Sequence, residues 1–236
     1  VHLMLPIQNT ELENIYLRSL GCGIRSIAVT SSGRGEGVST LAVALAERHL
    51  LARKSVLLVD LNDEAPSHLA LLEADDSAAA ASTEPQIVTD EVGSYALLGI
   101  PAPANTRANL AWRNPGFLER FLAEWLAQTD VVIIDAGSFE RSPNTLIPAE
   151  RIVGACEATV LAVMAGVTTE TAVRQTCEKI RNAGGHLAGC VLNDRVNPSL
   201  KQELLRETGR IPARLTSFRK KITGWIHSNR LLSMEV

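Results

Sequence analysis

An α/β fold, with a mainly parallel sheet and helices on both of its faces, is predicted by three observations. Short runs that are apolar on both faces, such as residues 55–59 (SVLLV) and 131–134 (VVII), read as buried strands. Segments with apolar residues at helical spacing alternate with those runs. A glycine-rich loop joins the first strand to the helix that follows it. In such sheets ligands bind beyond the carboxyl ends of the strands, so a site is expected at that loop and at the neighbouring strand ends.

Taken in order, residues 24–30 (IRSIAVT) are β-branched and apolar and predict the first strand. The loop occupies residues 31–37, and residues 39–51 predict a helix with Leu41, Leu45 and His49 on one face. Residues 55–59 form the second strand. A helix over 116–128 follows from the spacing of Phe117, Phe121 and Trp125 and of Leu118 and Leu122. Residues 131–134 and 158–164 (ATVLAVM) are the third and fourth strands. Residues 169–183 are helical and are stopped by Gly184 and Gly185, and residues 187–192 are the fifth strand. Residues 73–85, with the low-complexity run SAAAAST, read as a surface loop. There is no internal repeat.

Composition narrows the class. In 236 residues, 46% are hydrophobic and 21% charged, which excludes a disordered, collagenous or coiled-coil chain. No run of about 18 apolar residues occurs, so no membrane-crossing helix is expected. The opening VHLMLPIQNTE lacks a basic region and a small-residue cleavage site, and is not expected to act as a signal peptide. Cys22, Cys156, Cys177 and Cys190 form no CxxC pair and suit a reducing compartment as small core residues. The five histidines show no metal spacing, and there is no GxSxG nucleophile elbow. A net charge of −3 and the lack of a basic, aromatic surface leave no nucleic-acid partner expected.

The loop reads SSGRGEGVST from Ser31 to Thr40. Backbone N–H groups of such a loop wrap phosphate, glycine permits the close approach, and the helix N-terminus adds its dipole. Against the pattern GxxxxGK[ST], Gly37, Ser39 and Thr40 match, Ser32 stands at the first glycine and Val38 at the lysine. Valine supplies neither charge nor donor to the phosphates. A glycine-rich turn that binds nothing is the alternative reading of the loop alone. Asp60 ends the second strand and Asp135 the third, where carboxylates hold magnesium directly or through water. Each could instead cap a following turn.

With these motifs in place, the chain resembles the deviant-Walker P-loop ATPases of the MinD/ParA class. Within that class it is most similar to the cytoplasmic domain of bacterial tyrosine kinases of the CpsD/CapB type, which serve capsule and exopolysaccharide export. TSSGRGEGVST is similar to that family's TSPGPGEGKST, VDLNDEAPS (59–67) to VDADLRRPS, and DVVIIDAGS (130–138) to DVVIIDTPP. LAVMAGVTTETAV (161–173) resembles LVVRAGKTTREAV, and GCVLNDR (189–195) resembles GVVLNRV. The similarity runs from about Glu11 to Asp194.

The resemblance implies a P-loop NTPase-like domain over 1–209 and a basic amphipathic tail over 210–236. It implies that Gly35, Glu36, Gly37, Val38, Ser39 and Thr40 form the phosphate loop, and that Ser39 is a magnesium ligand. Asp60 would be the acid that assists catalysis, Asp135 the acid that holds magnesium through water, and Asn193 a neighbour of the adenine ring. ATP or ADP with magnesium would be the cofactor. The departures bear on activity. Val38 replaces the phosphate lysine, Asn62 the second acid of the Asp60 motif, and Glu64 and Ala65 its basic pair. Gly33 stands where MinD and ParA carry their signature lysine. Losing a charged contact to developing phosphate charge costs about 10²-fold or more in rate, and Arg34 could supply part of it. The tyrosines are Tyr16 and Tyr95, so autophosphorylation on a tail cluster is not expected. The family's Glu-and-two-Arg helix motif is not intact around 11–18, which puts ring assembly through it in question.

The charges are uneven. Between Lys54 and Arg107 there are nine acids and no base, whereas residues 209–234 hold no acid and include Arg210, Arg214, Arg219, Lys220, Lys221 and Arg230. Leu215, Phe218, Ile222, Trp225 and Ile226 make a helical stripe among those bases. The stripe fits a final helix docked on the core, or one that meets an anionic membrane or a partner. The expected function is a degenerate kinase-like regulator or assembly component of exopolysaccharide or capsule export, with weak or absent hydrolysis. Its partners would be a membrane chain-length regulator and a second copy of the chain. Its location would be cytoplasmic or peripheral on the inner membrane face. An active ATPase or tyrosine kinase that tolerates Val38, and a MinD/ParA-type positioning switch, are the alternatives.

Overall fold

The computed structural model describes residues 10–62, 86–89, 94–99, 113–140, 145, 147–195, 204, 208 and 222–226. The chain divides into two compact units, one of Val1–Met164 with Thr168–Asn193 and one of Ala165–Val167 with Asp194–Val236.

The first unit is built on a seven-stranded sheet of order β3-β4-β2-β5-β1-β6-β7. Its strands are β1 (Ser26–Ser31), β2 (Val56–Asp60), β3 (Gln86–Thr89), β4 (Ser94–Gly99), β5 (Val131–Ser138), β6 (Ala158–Met164) and β7 (Leu187–Asn193). All neighbouring pairs are parallel except β3 with β4, which places an antiparallel strand at one edge. The helices are α1 (Thr10–Arg18), α2 (Val38–Leu51), α3 (Phe117–Leu126), α4 (Ala149–Ala155) and α5 (Glu170–Asn182). The five expected strands and the three expected helices are present with small shifts at their ends, except that the strand expected over 131–134 continues to Ser138. Strands β3 and β4 and helices α1 and α4 were not anticipated from the residue pattern. Residues 73–85 lie outside the described residues, as do 215–221 of the tail stripe. Residues 222–226 are helical, with Trp225 59% exposed and Ile226 buried.

The alternation of side chains along the central strands makes two cores. Ile27, Val29, Val56, Leu58, Val131 and Ile133 face one side, where α1 and α2 cover them through Leu12, Tyr16, Leu41 and Leu45. Ala28, Leu57, Val59, Val132 and Ile134 face the other, against Leu118, Leu122 and Trp125 of α3 and Ile152 of α4. Period-two burial on both faces explains why these strands read as unbroken apolar runs. It also fixes the register, since a slip of one residue would exchange the two cores.

Helix α1 is fastened to α2 by polar groups under partial burial. Glu13 pairs with Arg48, whose guanidinium lies 4.3 Å from the centroid of the Tyr16 ring. The Tyr16 hydroxyl and His49 Nδ1 are 3.2 Å apart, and His49 is buried. Burial pushes the His49 imidazole below its usual range, helped by the charges of Lys54 and Arg48 and opposed by Asp130. The native state therefore binds this proton less readily than the unfolded chain, so stability conferred by neutral His49 is present above about pH 6.5 and is lost as the pH falls through the depressed folded value. Urea unfolding at pH 7.5 and at pH 5.5 is expected to show a smaller loss on acidification for His49→Gln than for wild type. Equal losses would remove His49 as the cause.

Candidate functional site

Strand β1 is central, and its neighbours β5 and β6 both run parallel to it. Its carboxyl end opens into residues 32–37, which return the chain to α2. Two glycines make the turn, Gly35 with φ +74° and Gly37 with φ +97°. Gly37 is the residue before α2, and no side chain caps that helix. The first N–H groups of a helix have no acceptor within it, so the end of the loop presents donors and the positive end of a dipole together. A Cβ on Gly35 would meet nothing within 4 Å, whereas one on Gly37 would lie 2.6 Å from Asn193 Nδ2.

Glu36 organises the loop. Its side chain is buried, and its Oε1 accepts from Gly33 N at 2.9 Å and from the Thr168 hydroxyl at 2.7 Å. Its carbonyl accepts from Asn193 Nδ2 at 3.0 Å. The Thr168 hydroxyl also accepts from Met164 N at 3.1 Å, which joins the end of β6 to the same network. Gly33 is confined by this arrangement, because a Cβ there would lie 2.9 Å from Glu36 Oε1. Ser32 Oγ and Glu36 Oε2 are buried and make no hydrogen bond among the described residues, so a hydroxyl and a carboxylate oxygen remain able to take a ligand.

Asp60 and Asp135 stand opposite each other in the register of β2 and β5, and both are buried. Asp60 Oδ1 accepts from Asn62 N at 3.0 Å, and Asp135 Oδ1 accepts from Gly137 N at 2.9 Å. Between Val29 and Ser31 the pairing of β1 with β5 shifts by one residue, a bulge that falls just after Asp135. The Thr30 hydroxyl donates to Gly137 O at 2.8 Å across that irregularity. Phe139 N donates to Ser31 O at 2.9 Å, and Arg34 Nε donates to Glu140 O at 3.3 Å, so the segment after β5 lies along the loop.

The structure therefore brings Gly35, Glu36, Gly37, Val38, Ser39, Thr40 and Asn193 to one loop, with Asp60 at the end of β2 and Asp135 opposite it inside β5, which runs on to Ser138 rather than ending at the aspartate as expected. Val38 begins α2, and its side chain is buried in the core cluster with Leu41 and Ala42. Ser39 is half-buried and Thr40 exposed. Asn193 is held against Glu36 and Gly37. Thr168 was not anticipated. Its only trace in the sequence is a hydroxyl residue just before the helix formed by α5, and its partner Glu36 is 132 positions away.

The arrangement fits the phosphates of a nucleotide and one hard cation. The uncapped helix end and the left-handed glycines suit an anion. One hydroxyl and two carboxylates suit magnesium, which keeps several waters and shares phosphate oxygens. Among the described residues, no group of three or more His, Cys, Asp or Glu side chains forms a dedicated metal cage. The cationic contribution is small. Glu36 and Glu140 lie along the loop and Asp60 and Asp135 beside it, against the exposed guanidinium of Arg34.

Comparison with solved structures bears on the fold. The BceF tyrosine kinase domain superposes with a TM-score of 0.56 at 22% identity, covering 77% of this chain and 74% of that one. The chimerical protein CapA2B2 superposes with a TM-score of 0.58 at 24% identity, covering 77% and 82%. The fold is that of the P-loop NTPases. Cobyrinic acid a,c-diamide synthase from Mycobacterium smegmatis, solved with an ATP analogue and magnesium, shares it with a TM-score of 0.53 at 19% identity over 80% and 83% of the two chains. No protein-family model and no curated protein sequence matches the chain. Among the described residues no helix is long and apolar enough to cross a membrane.

Proposed function

We propose that the chain is a kinase-like P-loop protein that works through protein contacts, as a regulatory or assembly component of exopolysaccharide or capsule export, with phosphoryl transfer weak or absent. The observation that carries this reading is Val38. It occupies the position of the phosphate lysine, and its side chain is spent on the core of α2. Backbone amides still supply an anion cradle, but without the lysine it is too weak to retain a nucleotide; in Val38→Lys a nucleotide would be held by Gly35–Thr40 amides, Ser32 and a magnesium ion on Ser39, Asp60 and Asp135. Magnesium is the electrophile such a site would supply when bound. The chain's own residues contribute orientation. Asp60 and Asp135 would hold the magnesium ion or its water, and Glu36 fixes the loop's shape. The partner that suits this role is a membrane chain-length regulator.

The experiment is isothermal titration of Mg-ATP and Mg-ADP into wild type and Val38→Lys. Silence in wild type, with binding gained in Val38→Lys, is expected. Because carboxylates surround the loop, ATP in the presence of EDTA is expected to bind neither protein. Steady ATP turnover or tyrosine phosphorylation by the wild-type protein would sink the proposal. The register pairing of Asp60 with Asp135 favours a second reading, an active ATPase that tolerates valine. Under that reading wild type binds and turns over ATP, and Asp60→Ala abolishes the turnover.

A further inference from the structure

Two of the four cysteines meet on the face of the sheet opposite α2. Cys190 lies on β7, the edge strand next to β6, and it is exposed. Between Thr159 and Val160 the pairing of β6 with β7 shifts, so that Thr159 faces Leu187 and Val160 faces Gly189. The extra residue re-aims the rest of β7. Cys190 then pairs with Leu161, whose neighbours Val160 and Ala162 point into the α2 core, so Cys190 points to the opposite side. Helix α5 lies on that side, with Ile180 buried in the second core and Leu187 packed against it. Cys177 is one turn before Ile180 on the same helix face and is half-buried. Partial burial and the neighbouring Cys177 thiol push the Cys190 thiol above its ordinary range.

We propose that Cys177 and Cys190 are a reversible dithiol–disulfide pair that ties α5 to β7, three residues before the asparagine that holds the phosphate loop. Cys190, the exposed member, meets the oxidant, and Cys177 resolves it. With a hydroperoxide as oxidant, the Cys190 thiolate attacks one oxygen. The O–O bond breaks, the leaving oxygen departs as water or alcohol, and Cys190 becomes a sulfenic acid. The Cys177 thiol then attacks that sulfur, the S–S bond forms, and the sulfenic oxygen leaves as water. Two thiols are oxidised and one peroxide is reduced. A thiol reductant reverses the step by exchange through a mixed disulfide. The raised thiol makes Cys190 a slow responder at neutral pH, and its rate rises as the pH is raised.

Hydrogen peroxide is the probe, applied to the full chain and followed by alkylation of remaining thiols and peptide mass mapping. The expected product is monomeric, lighter by two hydrogens, with a peptide pair linking Cys177 to Cys190, and dithiothreitol restores the starting mass. Cys22→Ser, which removes the other exposed thiol, is expected to behave as wild type. Cys177→Ser and Cys190→Ser are each expected to lose the cross-link. In wild type, a Cys177 that remains fully alkylatable while Cys190 is oxidised to sulfinic acid would overturn the proposal. So would a Cys190 consumed only in intermolecular dimers.

Discussion

Gly37→Ala is expected to destabilise the protein by about 2–3 kcal/mol and to abolish any anion binding by the loop. Two costs combine. The residue sits at φ +97°, a left-handed conformation that an L side chain reaches only with strain, about 1–2 kcal/mol. The added Cβ would also lie 2.6 Å from Asn193 Nδ2, so Asn193 must move and give up its bond to the Glu36 carbonyl, worth about 1 kcal/mol. Urea unfolding measures the sum. Gly35→Ala is the control, because its Cβ meets nothing and only the backbone strain remains. If the two variants were equally stable, the contact with Asn193 would carry no weight.

Glu36→Ala is the second large effect. The substitution leaves Gly33 N–H and the Thr168 hydroxyl, both partly buried, without their shared acceptor, at about 1 kcal/mol for each group. Glu36→Gln keeps an acceptor oxygen at that position and is expected to stay within about 1 kcal/mol of wild type. The contrast separates hydrogen bonding from charge. Hydrogen exchange at Gly33 and around Thr168 is expected to quicken in the alanine variant alone. Slow exchange there in Glu36→Ala would show that the loop keeps its shape without this side chain.

These two residues also mark how far the sequence could be read. The strands SVLLV, VVII and ATVLAVM were legible because strands buried on both faces carry no polar alternation. The loop was legible because glycine at two close positions and a following helix are local features. Strands β3 and β4 were not, since QIVT and SYALLG are short and neither uniformly apolar nor clearly alternating. Helix α4 escaped because it has seven residues, begins after Pro148 and includes Gly154. In the candidate site, Asp60 followed from its place at a strand end, whereas Asp135 lies inside β5, because the strand continues through AGS, a stretch too small and polar to read as strand. The part that Thr168 and Asn193 play did not, because it depends on groups brought together from more than a hundred positions away. The bulge that turns Cys190 toward α5 has no local signature either.

The central place of β1 has a consequence for how the molecule is made. Ile27 finds its hydrogen-bonding neighbours at Ile133 on one side and Ala158 on the other. During synthesis the first strand therefore waits, apolar and unpaired, until β5 emerges about a hundred residues later. Closing loops of that length before any ladder can form is slow. The loop that leaves β1 takes its shape only after Thr168 and Asn193 arrive, 132 and 157 positions beyond Glu36. Nascent chains cut short before residue 158 should aggregate or bind a holdase chaperone.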